Sequence, residues 1–230
     1  GDGGGLYIDK NSTVYMTGGT IAGNKADVGA AVYLEGNSTL DMSLGTSQIC
    51  YNYCAGTTTD GGAIFLRSNC TVIGGYVHHN LADDYGGGIR AKGNNILIRD
   101  VIVSNNKAEE EGGGLYIERD GTKQTVTISG CKIVGNHAGE KGGGVYLYDL
   151  YLAEMIDCSV EDNEAGESGG GICVSDWTGT DLSISGKIIV RNNYESTKNG
   201  KVKSNLYLEG DDDLIIGTLS YMSEIWVKTE

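Results

Sequence analysis

The chain has 230 residues, of which 38 are glycine, 14 tyrosine, one phenylalanine and none proline, and its net charge is −14. Glycine at this level without proline or a three-residue period excludes collagen, and the acidity excludes nucleic acid as a partner, because a phosphate backbone is bound by clustered Lys and Arg. Anionic lipid is disfavoured for the same reason, and no apolar run approaches the ~20 residues of a membrane-spanning helix, so direct membrane insertion is not expected.

Taken along the chain, the first element is a glycine cluster leading into an apolar-x-apolar triplet, Gly4-Gly5-Leu6-Tyr7-Ile8. An alternating pair, Val14/Met16, follows, then Ile21 with Asn24 three residues on and Ala26 two beyond that. The series then repeats. The triplet returns as Val32-Tyr33-Leu34, Ile64-Phe65-Leu66, Ile89-Arg90-Ala91, Leu115-Tyr116-Ile117, Val145-Tyr146-Leu147 and Ile172-Cys173-Val174, with a degenerate copy at Leu206-Tyr207-Leu208. The pair returns as Leu40/Met42, Cys70/Val72, Ile96/Ile98, Val126/Ile128, Ala153/Met155 and Leu182/Ile184. The asparagine returns as Asn52, Asn80, Asn106, Asn136, Asn163 and Asn192, at spacings of 28, 28, 26, 30, 27 and 29 residues counted from Asn24.

Every segment alternates with period two, which is the signature of strand rather than helix. Three short strands in roughly 28 residues cannot bury their own apolar faces; stacked coil on coil they share one interior. The sequence therefore predicts an all-β fold, a single right-handed parallel β-helix of about eight rungs and about 40 Å in length. Residues 1–208 form the repeats, and residues 209–230 are expected to supply a closing coil and cap. The asparagines, in register, are expected to pass amide hydrogen bonds from rung to rung. The chain opens within a repeat at Gly1-Asp2-Gly3, which predicts a segment of a larger polypeptide.

In a solenoid one repeat position becomes a row, so candidate sites are read by row. If Leu6 and Ile8 point inward, Tyr7 points outward. That row holds Tyr7, Tyr33, Phe65, Arg90, Tyr116, Tyr146, Cys173 and Tyr207. An exposed aromatic strip suits a sugar chain, whose apolar faces stack on rings; the alternative is a scaffold ladder covered by flanking loops. A second row lies ahead of the glycines: Asp27, Asp60, Asp83, Asp84, Glu109, Glu110, Glu111, Glu140 and Glu167. It is a candidate for Ca2+, which takes several oxygen ligands, although no calcium-binding nonapeptide is present; the alternative is a solvated edge. Asp211, Asp212 and Asp213 read as a solvated turn. Cys54, Cys70, Cys131 and Cys158 replace inward apolar residues and read as small core side chains, with Cys50 and Cys173 outward. No cofactor is implied. His78 and His79 have no acid beside them, and the outward row offers one cation and no acid, so the sequence alone argues against a catalytic centre. The loosest stretches are Trp177–Ser183 and Tyr194–Lys203.

Gly61-Gly62-Ala63-Ile64 followed by Val77-His78-His79-Asn80 resembles the paired tetrapeptides of the polymorphic outer-membrane protein repeat, with Ile or Val in place of its Phe. The stretch from Asn205 to Val227 is similar to the closing coil of such repeats in large Gram-positive cell-wall proteins. The resemblance implies an extracellular module at a bacterial cell surface. It would be a rigid spacer or an adhesin-like domain that contacts host or dietary glycans, or a host-surface or matrix protein. The alternative is a polysaccharide lyase or glycoside hydrolase on the same scaffold.

Overall fold

A computed structural model of the chain describes residues 1–55, 61–121, 125–175 and 179–227. It is a right-handed parallel β-solenoid with no helix among the described residues. Four sheets of eight strands run its length. The first begins at Leu6–Ile8 and ends at Leu206–Leu208, the second runs from Thr13–Tyr15 to Asp213–Leu219, and the third from Gly19–Ala22 to Glu224–Ile225. Within each of these, every strand pairs in parallel with its counterpart one coil away, for example Leu115↔Val145, Tyr116↔Tyr146 and Ile117↔Leu147.

The three expected strands per coil are joined by a fourth of two residues at the Asn-x-Ala step, such as Lys107–Ala108 and His137–Ala138. Its small inward residues, Ala82, Ala108, Ala138 and Ala165 with Cys54, let the backbone approach the coil interior closely. The fourth sheet ends differently. Tyr194–Thr197 turns back as an antiparallel hairpin with Gly200–Lys203, so one of the stretches expected to be loose is ordered. Of the other, Asp181–Gly186 is a strand, while Trp177 lies outside the described residues. Asp213–Leu219 and Glu224–Ile225 pair with Asp181–Gly186 and Ile189–Arg191, carrying the second and third sheets into the final coil.

One continuous apolar core runs from Ile8 to Leu206, filled by the inward triplet and pair residues. Beside it runs the asparagine ladder. Asn106 donates from its backbone N–H (3.0 Å) and from Nδ2 (3.1 Å) to Oδ1 of Asn136, and its Nδ2 also donates to the Val77 carbonyl at 2.9 Å. The pattern holds from Asn24 through Asn52, Asn80, Asn106, Asn136 and Asn163. The next member is Asn193, not Asn192. Ile189 and Val190 both fit the apolar position three residues ahead of an asparagine, but Val190 is the inward one, and Asn192 instead takes the left-handed corner at φ 55°. Asn193 then bonds Asn205, only 12 residues on because the hairpin replaces part of a coil.

Candidate functional site

The aromatic row is stacked as register requires, but it is not an exposed strip. Tyr33, Phe65, Arg90, Tyr116, Tyr146 and Cys173 are buried, Tyr207 is half-buried, and Tyr7 at 47% is the open member. The glycine turn preceding each strand folds back over the row. A Cβ on Gly112 would stand 2.7 Å from Cβ of Tyr116, and one on Gly142 2.7 Å from Cβ of Tyr146. The rings therefore meet each other rather than solvent: Tyr7–Tyr33 at 5.1 Å, Tyr33–Phe65 at 5.2 Å and Tyr116–Tyr146 at 5.3 Å between centroids. Arg90 fills the gap in the ring series, its guanidinium 6.0 Å from the Phe65 centroid, 5.2 Å from Tyr85 and 5.1 Å from Tyr116, and its Nη2 pairs with Oε1 of Glu118. A buried guanidinium needs such a partner, because desolvation of an unpaired charge costs several kcal/mol.

The outer layer opens at one stretch of the middle coils. There Tyr85, Glu111, Tyr116, Glu118, Tyr146 and Tyr148 line a concavity of about 360 Å³. Three rows converge on it. Tyr116 and Tyr146 come from the centres of their strands. Glu118 and Tyr148 are the next outward residues on the same strands and face each other in register. Tyr85 and Glu111 come from the turn ahead of the glycines, one coil apart, where Gly86 N–H bonds the Glu111 carbonyl. Tyr85 stacks on Tyr116 at 4.7 Å, and Tyr148 lies nearly parallel to Tyr146 at 6.1 Å.

The two carboxylates sit in unlike surroundings. Glu118 is tied to Arg90 and, at 3.2 Å, to Lys92. The carboxyl of Glu111 is pushed up to about 7, chiefly by burial and then by the neighbouring Glu140, against the opposing pull of Lys141 and the Tyr146 hydroxyl. Burial also raises the Tyr85, Tyr116 and Tyr146 hydroxyls, so these rings remain neutral donors at neutral pH. At the next coils Lys141 is drawn to Glu209 at 3.1 Å, and the Ser175 hydroxyl donates to the same carboxylate at 2.5 Å.

The aromatic row itself carries no acid, but the neighbouring outward row brings Glu118 beside it. The alternation that sends Tyr116 outward sends Glu118, two residues on in the same strand, outward too. Other expectations change. Cys50 is buried, as are the other five cysteines, all of them free thiols. Burial raises the Cys54 thiol to about 12. Asp212 is not a solvated turn residue: its Oδ1 accepts from Thr180 N–H at 2.8 Å and its Oδ2 from Glu209 N–H at 3.2 Å. Of the acidic row, Asp83 accepts from the Tyr53 hydroxyl at 2.8 Å, and Glu109 pairs with Lys107 at 2.7 Å. Asp60 lies outside the described residues. Among the described residues no group of three or more His, Cys, Asp or Glu side chains is placed to hold a metal ion. His78 contacts Gln48 at 3.2 Å and His79 at 2.9 Å, away from the concavity.

This is the architecture of right-handed parallel β-helix proteins, in which each coil repeats the scaffold of the one before. The chain belongs to the family described as right handed beta helix region, whose model matches residues 4–212. No curated protein and no solved structure matches the chain at a significant level.

Proposed function

We propose that the chain is a glycan-binding module of a bacterial surface protein and that the Tyr85–Tyr148 concavity is its contact site. The observation that carries this reading is the concavity itself. It combines four tyrosines with two carboxylates, and ring faces stack on apolar sugar faces while hydroxyls and carboxylates take the sugar hydroxyls. At about 360 Å³ it lies at the small end of the usual ligand-site range, room for one sugar residue or head group rather than a long chain. The extracellular, adhesin-like setting rests on the resemblance of the Gly-Gly-Ala-Ile and Asn motifs to surface-protein repeats. Of the aromatic row, Tyr116 and Tyr146 line this site, and buried Arg90 packs against Tyr85 and Tyr116. Tyr33 and Phe65 serve the stack, and Tyr7 and Tyr207 stand at its ends.

A glycan array spanning host mucin glycans and plant polysaccharides tests the reading. Tyr85→Ala and Tyr148→Ala, both at half-buried positions, are expected to weaken reproducible binding at least tenfold while leaving the far-UV spectrum unchanged; full retention in both variants would overturn it. A blank array from folded protein would leave a spacer.

The unlike carboxylates favour a second reading, a glycoside hydrolase with Glu111 as the protonated acid. That reading requires new reducing ends from an array ligand and their loss in Glu111→Gln.

A further inference from the structure

We propose that Cys131 and Cys158 form a two-thiolate site for a soft monovalent cation, Cu(I), reached through a concavity at the start of the third sheet. The site is separate from the Tyr85–Tyr148 concavity, which is built on strands of the first sheet, and it does not depend on the glycan reading.

The two cysteines precede the strands Lys132–Val134 and Ser159–Glu161 and lie in register on adjacent coils, where the Ser159 N–H bonds the Cys131 carbonyl at 3.0 Å. Each sulfur repeats the other's surroundings one coil on. Cys131 Sγ is 3.4 Å from the Ser129 carbonyl oxygen and 3.5 Å from that of Ile98. Cys158 Sγ is 3.3 Å from the Ile156 carbonyl oxygen and 3.4 Å from that of Ile128. The two thiols are also in hydrogen-bond contact with each other. The remaining cysteines have no thiol beside them in register: Cys50 lies between Ala22 and His78, Cys54 between Ala26 and Ala82, Cys70 between Ser38 and Ile96, and Cys173 between Tyr146 and Tyr207. Cys131 and Cys158 are largely covered, yet both line a concavity of about 270 Å³ that Lys132 and Lys187 share.

Coil spacing favours an ion over a disulfide. Adjacent strands lie ~4.8 Å apart, whereas a disulfide draws its Cβ atoms to about 3.8 Å. That approach would work against the ladder bonds on either side, Lys132 N–H to the Val101 carbonyl and Ser159 N–H to that of Cys131, both 3.0 Å. Two metal–thiolate bonds of about 2.3 Å each span about one strand spacing instead. Soft thiolates select Cu(I), Zn2+ or iron–sulfur clusters. Structural zinc takes four ligands and the clusters four cysteines, while no third His, Cys, Asp or Glu among the described residues is placed to join the pair. Cu(I), with a filled d shell, accepts two-coordination. Binding replaces two S–H bonds with two S–Cu bonds and releases two protons, with no change of oxidation state. The product carries one negative charge, which the Lys132 and Lys187 ammoniums offset. Of the acids lining the concavity, Asp157 is engaged by the Lys187 N–H and Glu161 by Arg191, each at 2.7 Å.

The experiment titrates the reduced full chain with Cu(I), without oxygen, against the chromogenic Cu(I) chelator bicinchoninate. The expected result is one ion withheld from the chelator per chain. Affinity is expected to fall about a hundredfold or more in Cys131→Ser and in Cys158→Ser, the upper end of what loss of a supporting residue costs a metal site, and to stay unchanged in Cys70→Ser. X-ray absorption of the loaded parent, which needs no variant to fold, is expected to show copper bound by two sulfurs alone. A parent that withholds no Cu(I), or full affinity in both single variants, overturns the site. So does copper carrying nitrogen or oxygen ligands in the loaded parent, which would place the ion at His78 and His79 or on the acidic row.

Discussion

Asn106→Ala is expected to lower the free energy of unfolding by about 3–5 kcal/mol, read as a fall in the urea midpoint. The side chain is buried and makes bonds in both directions along the ladder. Removing it takes the acceptor from the Asn80 N–H (3.0 Å) and Asn80 Nδ2 (2.9 Å), and the donor from the Val77 carbonyl (2.9 Å). A buried polar group left without its partner costs about 1–3 kcal/mol, so three such losses with partial relaxation reach the stated range. Asn106→Asp keeps the acceptor but sets a carboxylate oxygen against the Val77 carbonyl. Its folded-state pKa is then raised above the ordinary value of about 3.9. The deficit is accordingly smallest below that pH, where a protonated carboxyl can donate, and grows as pH rises towards the folded value. A loss under about 1 kcal/mol for Asn106→Ala would mean that water replaces the ladder bonds.

Gly142→Ala is expected to cost about 2–5 kcal/mol, combining left-handed strain with overlap in a packed layer. Gly142 has φ 66°, and a Cβ there would lie 2.7 Å from both the Tyr146 Cβ and the Val145 carbonyl oxygen. Neither can retreat, because Tyr146 is fixed in its strand by register with Tyr116 and Cys173. Gly23→Ala is the matched control. Gly23 has φ 70° but no heavy atom within 4 Å of the added Cβ, so strain alone applies, about 1–2 kcal/mol. Tyr51 and His79 already occupy the equivalent corner at φ 55° and 54°. Equal losses at the two glycines would show that the turn does not press on the aromatic row.

These two positions also explain what was legible in the sequence. Asn106 and its partners recur at coil spacing, so the ladder, the inward residues and the parallel register could be read from periodicity. The slip from Asn193 to Asn192 arose because two adjacent β-branched residues, Ile189 and Val190, satisfy the same motif. The burial of Tyr116 and Tyr146 was legible only as one of two readings, the ladder covered by flanking loops against the exposed strip. Alternation says which way a side chain points, and whether it is then covered depends on the glycine turns such as Gly142, whose path is set by left-handed backbone. The site was half legible for a related reason. Tyr116 and Tyr146 lie on the aromatic row, whereas Glu118 and Tyr148 lie one outward position further, and Tyr85 and Glu111 belong to turns. Only the coil geometry brings these together, since Tyr85 and Tyr148 stand more than two coils apart along the chain.

The most direct test of the contact site is to follow the tyrosine ring resonances by NMR while the full chain is titrated with its best array oligosaccharide. The concavity predicts saturable shifts at Tyr85, Tyr116, Tyr146 and Tyr148, with the exposed Tyr15 and Tyr51 unchanged. Shifts confined to Tyr7, Tyr15 or Tyr51, with Tyr85, Tyr116, Tyr146 and Tyr148 silent, would place binding elsewhere on the solenoid and contradict the account.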